Sequence, residues 1–182
     1  LAFSIDDGFI ECYNTIYPVL NKFNISACFF INPSVIESTN LYRKKFLKER
    51  LLTSQDKYFM TWNHIKELKD NKQIIGNHTM NHLALNKLSY EAAFKEIYLG
   101  KLFLEKKLNY DCKYFAFPYG NSKYFDENGV KAALNCHDLI FSSGQYEKYF
   151  FKSNDRILSR RHAEGNWSKN HIDYFLSKKR NY

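Results

Sequence analysis

Short apolar runs alternate with helical stretches along the chain, and each early run ends in a polar or glycine-containing cluster. Ala2-Phe3-Ser4-Ile5 runs into Asp6-Asp7-Gly8, Ala27–Ile31 into Asn32-Pro33, Ile74-Ile75-Gly76 into a histidine pair, and Tyr114–Phe117 into Pro118-Tyr119-Gly120; strands at Leu139–Phe141 and Ile157–His162 complete the series. Between them, helices are expected over Tyr13–Phe23, broken early by Pro18, over Leu41–Leu52, and over Thr61–Asn71, where Thr61 is an N-cap and Trp62, Ile65 and Leu68 form the buried stripe. A long helix capped by Ser89 should reach Leu108, with others over Asp126–Leu134 and Lys169–Leu176. Strand–helix alternation without hairpin signals specifies an α/β protein with a mostly parallel sheet. Such folds collect their functional groups at the carboxyl edge of the strands, so Asp6-Asp7, His78-His82, Tyr119 and His162 should converge on one rim.

The length of 182 residues suits a single domain spanning 1–182, and ordinary fractions of hydrophobic (45%) and charged (25%) residues exclude a fibrous or disordered chain. No apolar run approaches the ~18 residues that span a bilayer. The chain opens on a strand without an initiator Met, so localisation stays open: cell envelope or secreted if a signal or anchor precedes Leu1, otherwise cytoplasmic. Cys12, Cys28, Cys112 and Cys136 are scattered among apolar residues and read as free buried thiols. The net charge of +8 concentrates in Arg43-Lys44-Lys45 with Lys48 and Arg50, and in Lys178-Lys179-Arg180. These read as solvated helix faces or, alternatively, as a contact for an anionic glycan or membrane surface. No nucleic-acid-binding motif is present, and the oligomeric state is not legible.

His78 and His82 are four residues apart, a spacing expected to place both imidazoles on one face of a helical turn, close enough to share a metal. Thr79 stands where the zincin motif carries its catalytic Glu. Asp6-Asp7-Gly8 is on its own a turn signal. In a turn, however, adjacent side chains diverge, so one carboxylate can ligate a metal while its neighbour faces a bound water. Two Asp and two His at strand ends therefore supply three ligands, an open coordination position and a spare base.

Phe3-Ser4-Ile5-Asp6-Asp7-Gly8, His78-Thr79-Met80-Asn81-His82 and Phe117-Pro118-Tyr119-Gly120 resemble the first three motifs of the polysaccharide deacetylases, the NodB-type domains of carbohydrate esterase family 4. Asn24–Phe30 and Trp62–His82 also match in kind, so the resemblance covers nearly the whole chain. It implies a distorted (β/α) barrel of about seven parallel strands with an open groove. It implies Zn²⁺, or another divalent transition metal, on Asp7, His78 and His82, with Asp6 as the general base. The backbone N–H of Tyr119 would help hold the oxyanion, and His162 would protonate the leaving amine. Pro118, Tyr119 and Trp167 would line the groove.

Two departures from the family pattern stand out. The arginine that often orients the catalytic aspartate, two residues before the third-motif proline, is Ala116 here, so Arg160 or Arg161 must take its place. The fourth motif has only Asp138 and Trp167 as nearest residue types. The Asp6–His78 spacing is also long for the family, which places a rim insertion at 34–60, read as a solvated helical excursion or as a shaper of substrate choice. The implied activity is removal of N-acetyl groups from an amino-sugar glycan. O-acetyl ester hydrolysis or deformylation of a glycan or lipid-linked sugar is the second reading, and a non-catalytic glycan-binding domain the third.

Overall fold

The computed structural model describes residues 2–143, 156–163 and 165–177. Strands β1 (Phe3–Ile5), β2 (Ala27–Ile31), β3 (Ile74–Asn77), β4 (Tyr114–Ala116), β5 (Leu139–Ser143) and β6 (Ile157–Arg160) form one sheet, each pairing in parallel with the next. The helices are α1 (Tyr17–Lys22), α2 (Asn40–Glu49), α3 (Trp62–Asp70), α4 (Tyr90–Leu108), α5 (Glu127–Cys136) and α6 (Lys169–Ser177). A strand order that never reverses has no topological switch point. Right-handed crossovers then set the helices on one face, and sheet twist curls the other face inward. The result is a half-barrel of six strands among the described residues, against about seven expected, with β1 and β6 facing each other unpaired across an open seam.

The packing separates those faces. Phe29, Ile31 and Ile75 point outward and pack with Tyr17, Leu20, Ile65, Leu68, Leu104 and Leu108 of α1, α3 and α4. Phe115 and Ile140 do the same with Ala93, Ile97, Ala132 and Ala133 of α4 and α5. The alternate residues Cys28, Phe30 and Ala116, with Ile74, Tyr114 and Phe141, form the apolar interior of the half-barrel. Cys12, Cys28 and Cys112 are buried free thiols, and Cys136 is partly buried and also free.

Local signals account for most boundaries. Thr61 accepts from the His64 amide at 3.2 Å while His64 Nδ1 accepts from the Thr61 amide at 3.2 Å, a reciprocal cap on α3. Ser89 caps α4, and Asn109 ends it in the left-handed region at φ 46°. Pro18 does not interrupt its helix. It lies in the first turn of α1, where no N–H is required, after a π-helical turn over Cys12–Ile16. Residues 34–60 are not a solvated excursion, because Phe46, Leu47, Phe59 and Met60 are buried in the main core. Of the basic stretch, Arg43 is buried too, bonded to Asp56 at 2.5 Å and stacked on Tyr58. The Lys178-Lys179-Arg180 cluster lies outside the described residues. No described helix is long and apolar enough to cross a membrane.

Two polar contacts tie the layers together. Arg160 reaches from β6 across the seam and donates to both Asp6 oxygens, at 2.6 and 2.8 Å, and to Ser4 Oγ at 3.0 Å, with its guanidinium 5.2 Å above the Phe30 ring. Below α4, buried His137 accepts at Nε2 from Asn77 Nδ2 at 3.3 Å. Burial, with the Lys101 charge second, pushes its imidazole down to about 3.

Each contact writes a distinct acid limb into stability. Burial raises the Asp6 carboxyl, but Arg160 and His78 outweigh it and hold it down at about 2, against an ordinary 3.8. Its stabilisation is therefore present above about pH 4 and is lost as pH falls toward 2. Arg160→Met should lower the plateau stability by ~2 kcal/mol, discounted because the Asp6 side chain is 32% exposed, and flatten that limb. His137 excludes a proton that the unfolded chain takes up below an ordinary 6.5, so stability should also fall from there toward pH 3. His137→Gln should flatten this upper limb by ~2 kcal/mol and leave the Asp6 limb in place. Urea midpoints from pH 8 to pH 2 read both.

Candidate metal and acid–base site

The site is built at the carboxyl ends of β1, β3 and β4, with one contribution from β6. Beyond β1, Asp7 and Gly8 both adopt left-handed conformations, at φ 71° and 75°, and Gly8 N–H returns to Asp6 O at 3.0 Å. Asp tolerates that region better than most residues. Two consecutive left-handed residues swing the neighbouring carboxylates apart. Asp6 turns toward Arg160 across the seam, and Asp7 turns toward the histidines.

The histidine segment is an irregular loop, not the expected helical turn. His78 N–H extends the β2–β3 ladder by donating to Ile31 O at 3.0 Å, after which Thr79 and His82 take φ values of 65° and 53°. Thr79 Oγ1 accepts from His82 N–H at 2.9 Å and so closes the loop on itself. Buried Asn32 donates to the carbonyls of His78 and Thr79, the latter at 3.2 Å. Ser34 N–H donates to Met80 O at 3.2 Å. Asn32 had no assigned role in the sequence reading. Its signal there is an amide immediately after a strand whose last carbonyl receives the His78 amide.

Both imidazoles then face Asp7, with Nε2 of His78 at 3.5 Å and Nε2 of His82 at 3.4 Å from Oδ1. His78 Nδ1 lies 2.8 Å from Ala116 O, and a carbonyl only accepts, so the proton is on Nδ1 and the Nε2 lone pair points into the site. Burial and the adjacent His78 push His82 down to about 4, which keeps it neutral at ordinary pH. Burial also disfavours charge on His78, but Asp6 and Asp7 outweigh it and raise it. Asp7 Oδ1 is buried without a hydrogen-bond partner among the described residues. The three ligand atoms lie within 4.8 Å of one another. An orphaned carboxylate oxygen facing two imidazole nitrogens fits a divalent cation of the zinc type.

The turn after β4 forms the wall beside His82. Tyr119, at φ 62°, sets its ring edge-on to His82 with centroids 4.6 Å apart and donates its hydroxyl to Arg50 O. Gly120, at φ 67°, leaves no room for a side chain, since a Cβ would sit 1.9 Å from Ser143 Oγ. Pro118, expected on the groove, is buried, so only the half-exposed Tyr119 of that pair reaches the rim. Trp167, also expected there, stacks on His171 with centroids 4.3 Å apart, ahead of α6. His162 does not share the strand face of Leu158 and Arg160, because β6 ends at Arg160 and His162 is exposed two residues later. Asp138 precedes β5 and so lies at the amino edge of the sheet, opposite the site, which removes it as a fourth-motif counterpart.

Comparison with known proteins bears on the fold and the family. YxkH of Bacillus subtilis (strain 168) is 25% identical over 130 residues, covering 71% of this chain and 39% of YxkH, so the chain spans about two fifths of that relative's length. The solved de-N-acetylase from Aggregatibacter actinomycetemcomitans superposes with a TM-score of 0.74 at 20% identity, over 96% of this chain and 74% of that one. BA3943 of Bacillus anthracis, described as a CE4 family pseudoenzyme, superposes with a TM-score of 0.55 at 21% identity, over 76% and 41%. The family model described as polysaccharide deacetylase matches residues 1–139, most of the chain, and the chain therefore belongs to the polysaccharide deacetylase family.

Proposed function

We propose that this chain is a divalent-metal-dependent hydrolase that removes N-acetyl groups from an amino-sugar glycan. The observation that carries this reading is the separation of two adjacent carboxylates. Asp7 joins His78 and His82 around one point, while Asp6 is held apart by Arg160 with its oxygens on the same rim. A purely ligating site has no use for that second carboxylate. When bound, the metal supplies Lewis acidity toward an acyl oxygen and lowers the pKa of a coordinated water.

In this reading Asp6 accepts the proton of the attacking water as that oxygen adds to the acetyl carbonyl. Arg160 fixes the carboxylate's direction, at the cost of basicity, since it helps hold Asp6 at about 2. The Tyr119 backbone N–H faces the developing oxyanion. His162, just past the strand that carries Arg160, gives a proton to the amine as the C–N bond breaks. Acetate and the free amino sugar leave without a covalent enzyme intermediate. The glycan-binding-only reading loses one of its two supports, since Arg160 from a different strand reaches Asp6 in place of the arginine absent at Ala116.

The test is acetate release by the zinc-loaded protein from N-acetylglucosamine oligomers, peptidoglycan and O-acetylated xylan. Release is expected from the N-acetylated substrates. Release from the xylan alone would favour the ester reading, and none from any of them the binding-only one. Asp6→Asn should cut the rate at least ~100-fold with zinc retained, and wild-type release by that variant would remove Asp6 as the base. His78→Ala should lose zinc, measured by equilibrium dialysis, and His162→Ala should lose rate but not metal.

A further inference from the structure

The histidine loop rests on one short stretch of α4 that the proposed chemistry does not use. Two α4 carbonyls accept bonds from outside their helix. Glu96 O takes Met80 N–H at 3.1 Å, and Ile97 O takes Asn77 Nδ2 at 2.9 Å. Gly100, one turn on, leaves these carbonyls uncovered. A Cβ there would lie 2.5 Å from Asn77 Oδ1, 2.9 Å from Met80 N and 3.0 Å from Thr79 C. Beside this saddle the Glu96 side chain is 7% exposed, an unusual place for a carboxylate unless it is fully partnered. Both of its oxygens accept from one residue: Oε1 from Asn81 N–H, and Oε2 from Asn81 Nδ2 at 2.9 Å.

We propose that Glu96 is a positioning residue for the metal site. It acts through Asn81 to hold His82 in the left-handed conformation that aims its Nε2 at Asp7. Asn81 is gripped on its backbone N–H and its side chain together, and its Oδ1 also receives the Tyr42 hydroxyl at 3.2 Å, so the Met80–Asn81 peptide and the Asn81 side chain are fixed just before His82. The adjoining His82 N–H is already committed to Thr79 Oγ1. With the peptides on both sides of the Asn81 Cα fixed, the 3.4 Å approach of His82 Nε2 to Asp7 Oδ1 is set before any ion arrives. The assignment rests on the metal-site reading above and extends it from three ligands to the helix beneath them.

The test reverses the polarity of one hydrogen bond. Glu96→Gln presents an N–H to Asn81 Nδ2, donor against donor, and Asn81→Asp presents a carboxylate to Glu96. Each single variant should weaken Zn²⁺ binding by ~10–100-fold in chelator competition. The double variant, in which the new side-chain amide donates to the new carboxylate, should return within ~3-fold of wild type, and the Co²⁺-loaded visible spectrum should follow the same pattern. Equal zinc affinity in Glu96→Gln, tighter binding in Asn81→Asp alone, or no recovery in the double variant would overturn the assignment. Asn81→Ala covers the case in which Glu96→Gln fails to fold: a ~3–10-fold weaker zinc affinity supports the role, and an unchanged affinity overturns it. A wild-type protein that binds no zinc would instead overturn the proposed function, and this assignment with it.

Discussion

The bidentate pair between Asp6 and Arg160 is the contact on which the rest of the site depends. It joins β1 to β6 across a seam that carries no backbone pairing among the described residues, and it does so inside the half-barrel, over the Phe30 ring. A flat parallel sheet would set β1 and β6 five strand spacings apart, ~24 Å. The pair therefore exists only because the sheet is curled, and it in turn holds the curl at the rim. One interaction thus couples the global shape of the sheet to the direction of a single carboxylate.

Around that pair the loops are built from backbone conformations that most residues avoid. Asp7, Thr79, His82 and Tyr119 all have positive φ, and all four contribute to or close around the candidate metal site. Each costs conformational free energy and persists because neighbours over-determine it. Asn32 and Ser34 hold the histidine loop from β2 and the turn after it, the end of α2 meets Tyr119 through the Arg50 carbonyl, and Thr79 closes on His82. The candidate ligands are held in place by a shell of amides, hydroxyls and the one carboxylate of Glu96. That shell, more than the ligands, accounts for the buried Asn residues at strand ends.

Much of the architecture was legible in the chain because it follows from period and punctuation. The apolar runs became strands within a residue or two, Thr61 and Ser89 capped the helices expected of them, and the polar clusters after β1, β3 and β4 met on one edge. The failures are of a different kind. The four-residue histidine spacing suggests a helical turn, but the loop's geometry is set by partners on β2 and α4 that have no local signature. Strand alternation carried His162 onto the face of Arg160 because nothing in Arg160-Arg161-His162 marks where pairing stops. Asp138 and Pro118 have suitable residue types, yet one lies at the wrong edge of the sheet and the other is buried beneath the turn. Residue type and spacing reveal which chemistry is available, whereas depth and edge are properties of the assembled sheet.

The strand order also orders the making of the site in time. Asp6, Asp7, His78 and His82 all belong to the first half of the chain, while Arg160 emerges about eighty residues after the last of them. A nascent polypeptide can gather its carboxylates and imidazoles once β1 to β4 and α4 have emerged, before the guanidinium that orients Asp6 has been synthesised. Assembly of the candidate ligands and alignment of Asp6 are therefore separable, the first resting on β1 to β4 with α4 and the second on Arg160 of β6. The proposed acid–base geometry depends on the last of the described strands.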